Sequence, residues 1–231
     1  MDANRETNVV PFSLPQRLPF TIRVARSERQ ILEAVEIRHA AYARHVPALA
    51  ARLRQPEPLD RDDGAAVLLA EAKLDGAPLG TMRIETNRRR PLAIEQSVAL
   101  PTALRRCSLA EATRLGVCAA RIGRVVKTML FKAFYQYCRR AGIEWMVIGA
   151  RSPLDRQYEA LMFEDVFPGR GFVPLAHAAN LPHRVLMFEL ETAEARWRQA
   201  GHPLHALFCR THHPDIDVRG EETASSSEAV A

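Results

Sequence analysis

From Val125 to Cys138 apolar side chains return once per helical turn, at Val125, Val126, Met129, Leu130, Ala133, Phe134, Tyr137 and Cys138. A stripe of that kind forms one buried helix face, and Arg124, Lys127, Lys132 and Arg139 fall off it. Gly142 supplies a helix C-cap. Trp145–Ile148 then runs apolar without a break, as in a strand covered on both sides. A long amphipathic helix feeding a short, doubly covered strand needs a sheet to lie against. This unit sets the chain among α/β folds.

The flanking segments extend that sheet. Phe20–Ala25 alternates apolar and polar residues and predicts a first strand. Ser27 is a good N-cap for a helix running to about His45. Residues 47–64 carry three prolines and several acids and predict a loop. Ala66–Lys73 and Leu79–Thr86 predict two strands joined through Asp75-Gly76. Ser108–Ala119 predicts the strand before the basic helix. After Trp145–Ile148, a helix is expected over Leu154–Phe163, strands over Gly171–Leu175 and Arg184–Leu190, and a short helix from Thr192. The resulting order, β-α-β-β-β-α-β-α-β-β, is that of a mixed central sheet flanked by helices, not an alternating doubly wound sheet. No internal repeat or linker divides the middle. The expectation is a flexible arm over 1–18, one domain over 19–200, and a largely disordered C-terminal segment over 201–231 ending in EETASSSEAVA.

Composition narrows the function classes. No run approaches the length of apolar residues that a membrane span requires, and the N-terminal stretch has no apolar signal core. Cys107, Cys118, Cys138 and Cys209 show no CxxC or Cys/His metal spacing. Free thiols in the cytoplasm are expected and no metal is, His212 and His213 near Cys209 being a weak zinc signal. The net charge of +5 is unevenly placed. Between Arg83 and Arg140 the acids are Glu85, Glu95 and Glu111 against a long series of arginines and lysines. That stretch calls for an anionic partner. Nucleic acid is one such partner, but aromatic residues are 6% of the chain and no nucleic-acid-binding signature occurs.

Several residues could carry chemistry. Glu111 and Arg114 lie in Glu111-Ala-Thr-Arg114 on a strand. A desolvated Glu111 could take a proton from an amine, and it could equally be one half of an edge salt bridge. Strict alternation puts 111 and 113 on one face and 112 and 114 on the other, an arrangement that a bulge would change. Arg83 could fork onto a carboxylate or pair with Glu85 or Glu111. Asp60, Asp62 and Asp63 could hold an ammonium, position arginines, or be solvated loop acids. Arg121-Ile-Gly123-Arg124 opens the basic helix, where backbone N–H groups and the helix dipole favour phosphate. Neither GxSxG nor GxGxxG is present, which makes direct transfer simpler than a covalent acyl-enzyme.

These segments resemble the N-acyl amino acid synthases and the related acyl-homoserine-lactone (autoinducer) synthases, variants of the GNAT acyltransferase fold. The resemblance spans roughly residues 20–195. Arg38-His-Ala-Ala-Tyr42 is similar to that family's Arg-x3-Phe, and Asp60-Arg-Asp-Asp63 to its Asp-x2-Asp. Gly80-Thr-Met-Arg83 is similar to its Gly-x2-Arg, and Glu111-Ala-Thr-Arg114 to its Glu-x-Ser-Arg. The resemblance implies a GNAT-like single domain with catalytic Glu111 and Arg114. It places Arg38, Tyr42, Asp60, Asp63 and Arg83 around an amino-acid substrate, and Arg121, Gly123, Arg124 and Lys127 near the donor's phosphopantetheine. No tightly bound cofactor is implied. The donor would be an acyl thioester of acyl carrier protein, or acyl-CoA, and the product an N-acyl amino acid. The autoinducer pattern has a Trp soon after Arg-x3-Phe, where this chain reads Arg44-His-Val-Pro-Ala, which favours a plain amino acid over S-adenosylmethionine. The GNAT coenzyme A loop is met only in distorted form by Arg121-Ile-Gly123-Arg124, which favours the carrier protein. Met82, Leu115, Val117, Phe134, Met146 and Ile148 are candidates for an acyl slot, or for plain core. The competing readings are an autoinducer synthase and a nucleic-acid-binding protein.

Overall fold

The computed structural model describes residues 15–219. Most of the expected N-terminal arm, and residues 220–231 of the expected C-terminal tail, lie outside these. The amphipathic stripe forms α4, Ile122–Arg140. It buries Val126, Met129, Leu130, Ala133, Phe134 and Cys138, whereas Val125 turns to solvent. Gly142 follows with φ +61. The apolar run is β5, Trp145–Ala150.

The sheet runs in the order β6-β8-β5-β4-β3-β2-β1-β9. These strands are β1 Phe20–Val24, β2 Ala65–Ala72, β3 Pro78–Thr86, β4 Leu109–Val117, β6 Glu164–Asp165, β8 Leu181–Glu189 and β9 Ile216–Asp217. A short β7, Val173–Leu175, also pairs with β8. Antiparallel pairing joins β1 to β2, β2 to β3 and β3 to β4, whereas β4 and β5 are parallel with α4 as the crossover.

Alternation divides the strands between two faces. Ala66, Leu68, Ala70, Met82, Ile84, Met146 and Ile148 meet α4 in the main core. Val67 and Leu69 meet α1, Glu28–Ala43, on the opposite face. Ser27 caps α1 as its sequence suggests, accepting from the Gln30 N–H while the Gln30 side chain accepts from the Ser27 N–H. Two glycines permit close packing of the helices. A Cβ on Gly80 would stand 2.7 Å from a Val126 methyl of α4, and one on Gly116 would stand 3.0 Å from the Arg38 Cα of α1. No helix among the described residues is long and apolar enough to cross a membrane.

Two expectations need correction, and one stretch without a sequence signal proves ordered. Residues 47–64 are not all loop: Pro47 sits at the first helical position of α2, Pro47–Arg52, and a 3-10 turn spans Pro58–Arg61. Leu49, Ala50 and Leu53 hold this segment by burial. Residues 92–104, which carry no clear periodicity, form a 3-10 turn at Ala93–Gln96 and a short helix α3 at Thr102–Arg105. They bury Leu92, Ile94, Val98, Leu100 and Leu104 over Val147 of β5. The C-terminal segment is not a loose tail through 219. It follows α6, Ala193–Gln199, makes a π-helical turn at Ala206–Arg210, and adds β9 parallel to β1.

Lys132 explains that last difference. Its place off the apolar stripe suggests a solvated charge, yet it is 0% exposed. Its ammonium donates to the carbonyls of Leu207 and Thr211 and to His213 Nδ1. Burial pulls its pKa down to about 8, which leaves it charged at neutral pH, and His213 is pushed down to about 4, first by burial and then by Lys132. A neutral imidazole accepting from an ammonium ties the C-terminal segment to α4.

Candidate active site

The sheet face that meets α1 is polar in the middle. Arg83 and Glu85 on β3 stand directly opposite Thr113 and Glu111 on β4. The β3–β4 register slips between Thr81 and Arg83, giving β4 one extra residue. The extra residue is absorbed at Arg114, whose φ of 55 lies in the left-handed region. Strict alternation would send Arg114 to the α4 side; the bulge returns it to the side of Glu111 and Arg83.

Glu57, in the loop between α2 and β2, organises the arginines. Arg114 forks onto it, Nε–Oε2 2.6 Å and NH2–Oε1 2.7 Å, and Arg83 NH1 meets Oε2 at 2.9 Å. Arg38 of α1 makes a second fork onto Asp60, at 2.9 and 2.7 Å. Arg83 Nε reaches Glu85 at 3.0 Å, and Thr113 Oγ1 donates to the same oxygen. Bidentate pairs of this type fix both partners in place. Burial by itself would raise the Glu57 carboxyl, but Arg114, Arg83 and Arg38 hold it at about 2. Asp60 is likewise held low against its burial by Arg38 and Arg83.

Glu111 has no guanidinium of its own. It is 0% exposed, accepts one backbone bond from the Ile94 N–H at 3.0 Å, and its Oε1 makes no hydrogen bond. His177 Nε2 lies 3.6 Å from that oxygen. Burial, followed by repulsion from Glu85, raises the Glu111 pKa to about 8. Burial, followed by Arg114, lowers His177 to about 4. At neutral pH the pair is therefore a carboxylic acid beside an uncharged imidazole.

Glu111 also marks where the sheet opens. β4 and β5 pair from Leu109↔Trp145 to Ala112↔Ile148 and then stop. β4 continues to Val117 and β5 to Ala150 without pairing to each other. The gap is a notch with Glu111 at its closed end. α4 starts just after the end of β4, and α5, Leu154–Ala160, just after the end of β5, so both helices begin at the mouth. Between them lies a largely apolar cavity of about 270 Å³, lined by Phe131, Leu154, Tyr158, Leu161, Leu204 and Phe208 among others.

The sequence-derived residues divide accordingly. Glu111, Arg114, Arg38, Asp60 and Arg83 come together. Tyr42 is half-buried near them, its hydroxyl pKa raised by burial. Arg38 and Arg83 are 1% exposed and engaged with carboxylates, so neither presents a guanidinium to an incoming carboxylate. Asp63 does not join: it is exposed, 3.7 Å from Arg89. Arg121 and Arg124 are exposed at the mouth, and Lys127 contacts Gln157. Gly123 is there for space, since a Cβ would stand 2.3 Å from the Cys118 carbonyl oxygen. Met82, Phe134, Met146 and Ile148 are fully buried core, and Leu115 and Val117 pack partly against it. Glu57 and His177 were missed. The proline-flanked Glu57 gave no periodic signal, and His177 reaches Glu111 only because β7 and its 3-10 turn fold over the sheet.

No protein-family model matches the sequence, and no curated protein matches it at a significant level. Solved structures do match in shape. FeeM, an N-acyl amino acid synthase from uncultured soil microbes, superposes with a TM-score of 0.61 at 16% identity, over 78% of this chain and 96% of FeeM. BjaI, a CoA-dependent acyl-homoserine lactone synthase, gives 0.54 at 15% identity, over 87% and 94%. A protein described as a GNAT-family acetyltransferase, from Desulfovibrio desulfuricans, gives 0.53 at 12% identity, over 74% and 99%. The notched mixed sheet is thus the GNAT fold, carried here by a single α/β domain.

Proposed function

We propose that the protein is an N-acyltransferase that moves a long-chain fatty acyl group from the phosphopantetheine thioester of acyl carrier protein to the amine of an amino acid. The observation that carries this reading is the parting of β4 and β5 directly beside Glu111, a buried carboxyl with an unbonded oxygen. A thioester threaded through the notch would meet the edge of β4 that β5 leaves unpaired beyond Ala112, where an outward backbone N–H would suit a developing oxyanion. The amine attacks the carbonyl carbon and gives up a proton, a C–N bond forms, and the C–S bond breaks to leave a thiol. With its pKa near 8, Glu111 is closer to an ammonium than an ordinary carboxyl is, so proton transfer between them is nearly balanced. His177, neutral and 3.6 Å away, is a polar neighbour of that carboxyl that does not compete for its proton.

The arginines are engaged with Asp60, Glu85 and Glu57 and hold the bulge in place rather than binding substrate with free charges. Exposed Arg121 and Arg124, with Lys127 behind them, present a cationic mouth to an acidic carrier. The largely apolar cavity between α4 and α5 is assigned to the acyl tail. The free cysteines agree with a reducing compartment such as the cytoplasm. Incubation with long-chain acyl-carrier protein and mixed amino acids, read by product mass, tests the reading. An N-acyl amino acid is expected. Hydrolysis alone, or acyl-homoserine lactone when S-adenosylmethionine is supplied, would overturn it.

A further inference from the structure

In the segment that follows β8, three side chains of metal-binding type converge. Glu194 lies in the first turn of α6, His205 immediately before the π-helical turn, and Cys209 within it. One ligand atom from each lies within 4.8 Å of the others, and His205 Nε2 is 3.9 Å from Glu194 Oε1. That imidazole nitrogen is buried and has no hydrogen-bond partner, an expensive state for a polar atom. We propose that Glu194, His205 and Cys209 form a zinc site that clamps α6 to the C-terminal turn.

The local geometry and the donor chemistry agree. His205 and Cys209 are four residues apart, and the turn that brings them to one side is π-helical, a form frequent at functional sites. Tetrahedral zinc, with bonds of about 2.0–2.3 Å, sets its ligand atoms roughly 3.3–3.8 Å apart. The trio therefore needs to close by no more than about 1 Å, and Glu194 is exposed enough to swing. A thiolate, a carboxylate and an imidazole suit zinc over magnesium or calcium, and their two negative charges neutralise the dication. On binding, the Cys209 thiol gives its proton to solvent as the Zn–S bond forms. Burial, followed by the Glu194 carboxylate, raises the Cys209 thiol against the pull of Tyr135, Arg139 and Lys132, so the dication itself must draw out the thiolate. Water completes the coordination. His213 is not a ligand, because its Nδ1 is occupied by Lys132.

The test uses the full chain, stripped with a chelator and titrated with Zn²⁺ against a chromogenic competitor, with Co²⁺ as the spectroscopic probe. One zinc per chain, a thiolate-to-cobalt absorption band and a zinc-dependent rise in Tm are expected. Cys209→Ser and His205→Gln should each abolish the band and weaken zinc by more than the roughly 10–100-fold that an outer-shell partner costs. His212→Gln, on an exposed neighbour, should bind as the parent does. Wild-type protein that takes up no zinc, a cobalt complex without the thiolate band, or zinc binding that survives Cys209→Ser would each overturn the site. The wild-type spectrum decides even where a variant folds poorly. Zinc uptake and the cobalt spectrum are read without acyl transfer, so failure here leaves the enzymatic reading standing and the reverse also holds; transfer itself is no control, because Leu204 and Phe208, beside His205 and Cys209, line the cavity assigned to the acyl tail.

Discussion

Glu111 and Glu85 sit side by side on adjacent strands, and the available guanidiniums are arranged around Glu85, Glu57 and Asp60. The leftover carboxyl keeps its proton. Between about pH 5 and 8 the folded chain holds at Glu111 a proton that the unfolded chain has lost, so the Glu111 contribution to stability falls as pH climbs through that window, while the contributions of His177 and His213, both held down at about 4, rise with pH over its acid part. The loss is on the order of a few kcal/mol. Glu111→Gln keeps an oxygen for the Ile94 N–H and removes the titration. Urea denaturation at several pH values should show the parent losing stability relative to the variant as pH climbs through that window. Kinetics should show the complementary effect. In the parent, kcat/KM rises toward pH 8 as Glu111 ionises and turns over near the amine's own pKa. In Glu111→Gln it should be roughly 10²–10⁴-fold lower and follow the amine alone. An unchanged pH profile would remove the base role.

At the scale of elements, α4 carries both the site and the C-terminal segment. The buried Lys132 ammonium replaces what would be a loose end with three bonds. Lys132→Met would leave two carbonyls without their donor and should cost on the order of 2–3 kcal/mol. Hydrogen exchange should then speed up across residues 206–218, and unchanged exchange there would show that the clamp is idle. The cavity between α4 and α5 gives a second test. Leu154→Trp partly fills it and should shift products toward shorter acyl chains at similar turnover, as read by mass spectrometry of a mixed acyl-carrier pool. An unchanged chain distribution would place the tail elsewhere.

Across the whole molecule the positive charge is not one surface. α4 spans 19 residues, roughly 28 Å. Arg121 and Arg124 stand at the notch end, Lys132 is interior, and Arg139 and Arg140 line a separate polar groove with Arg23 and Asp215 at the far end. Only the first group can touch a carrier whose arm enters the notch. Arg124→Glu with Lys127→Glu should raise KM for the carrier roughly tenfold, from about 0.2–0.5 kcal/mol for each attraction lost and a similar repulsion gained. Arg139→Glu with Arg140→Glu should leave it unchanged. If the far pair mattered and the near pair did not, docking at the mouth would be excluded.

Read from its residues, the chain declares the sheet-and-helix plan, because periodicity and capping are local: the α4 stripe, Ser27 with Gln30, and the β5 run each act within one or two turns. The short motifs also named Glu111, Arg114, Arg38, Asp60 and Arg83. Their roles were not legible there. Which guanidinium meets which carboxylate depends on a one-residue bulge at Arg114 and on Glu57 arriving from a proline-bounded loop, and both are settled only when the strands pair. The same holds for Lys132, which reads as a surface charge until residues 207–213 fold over it. Local spacing decides which face a side chain takes, while burial, charge pairing and protonation state are set by segments distant in the sequence, and those only the tertiary structure brings together.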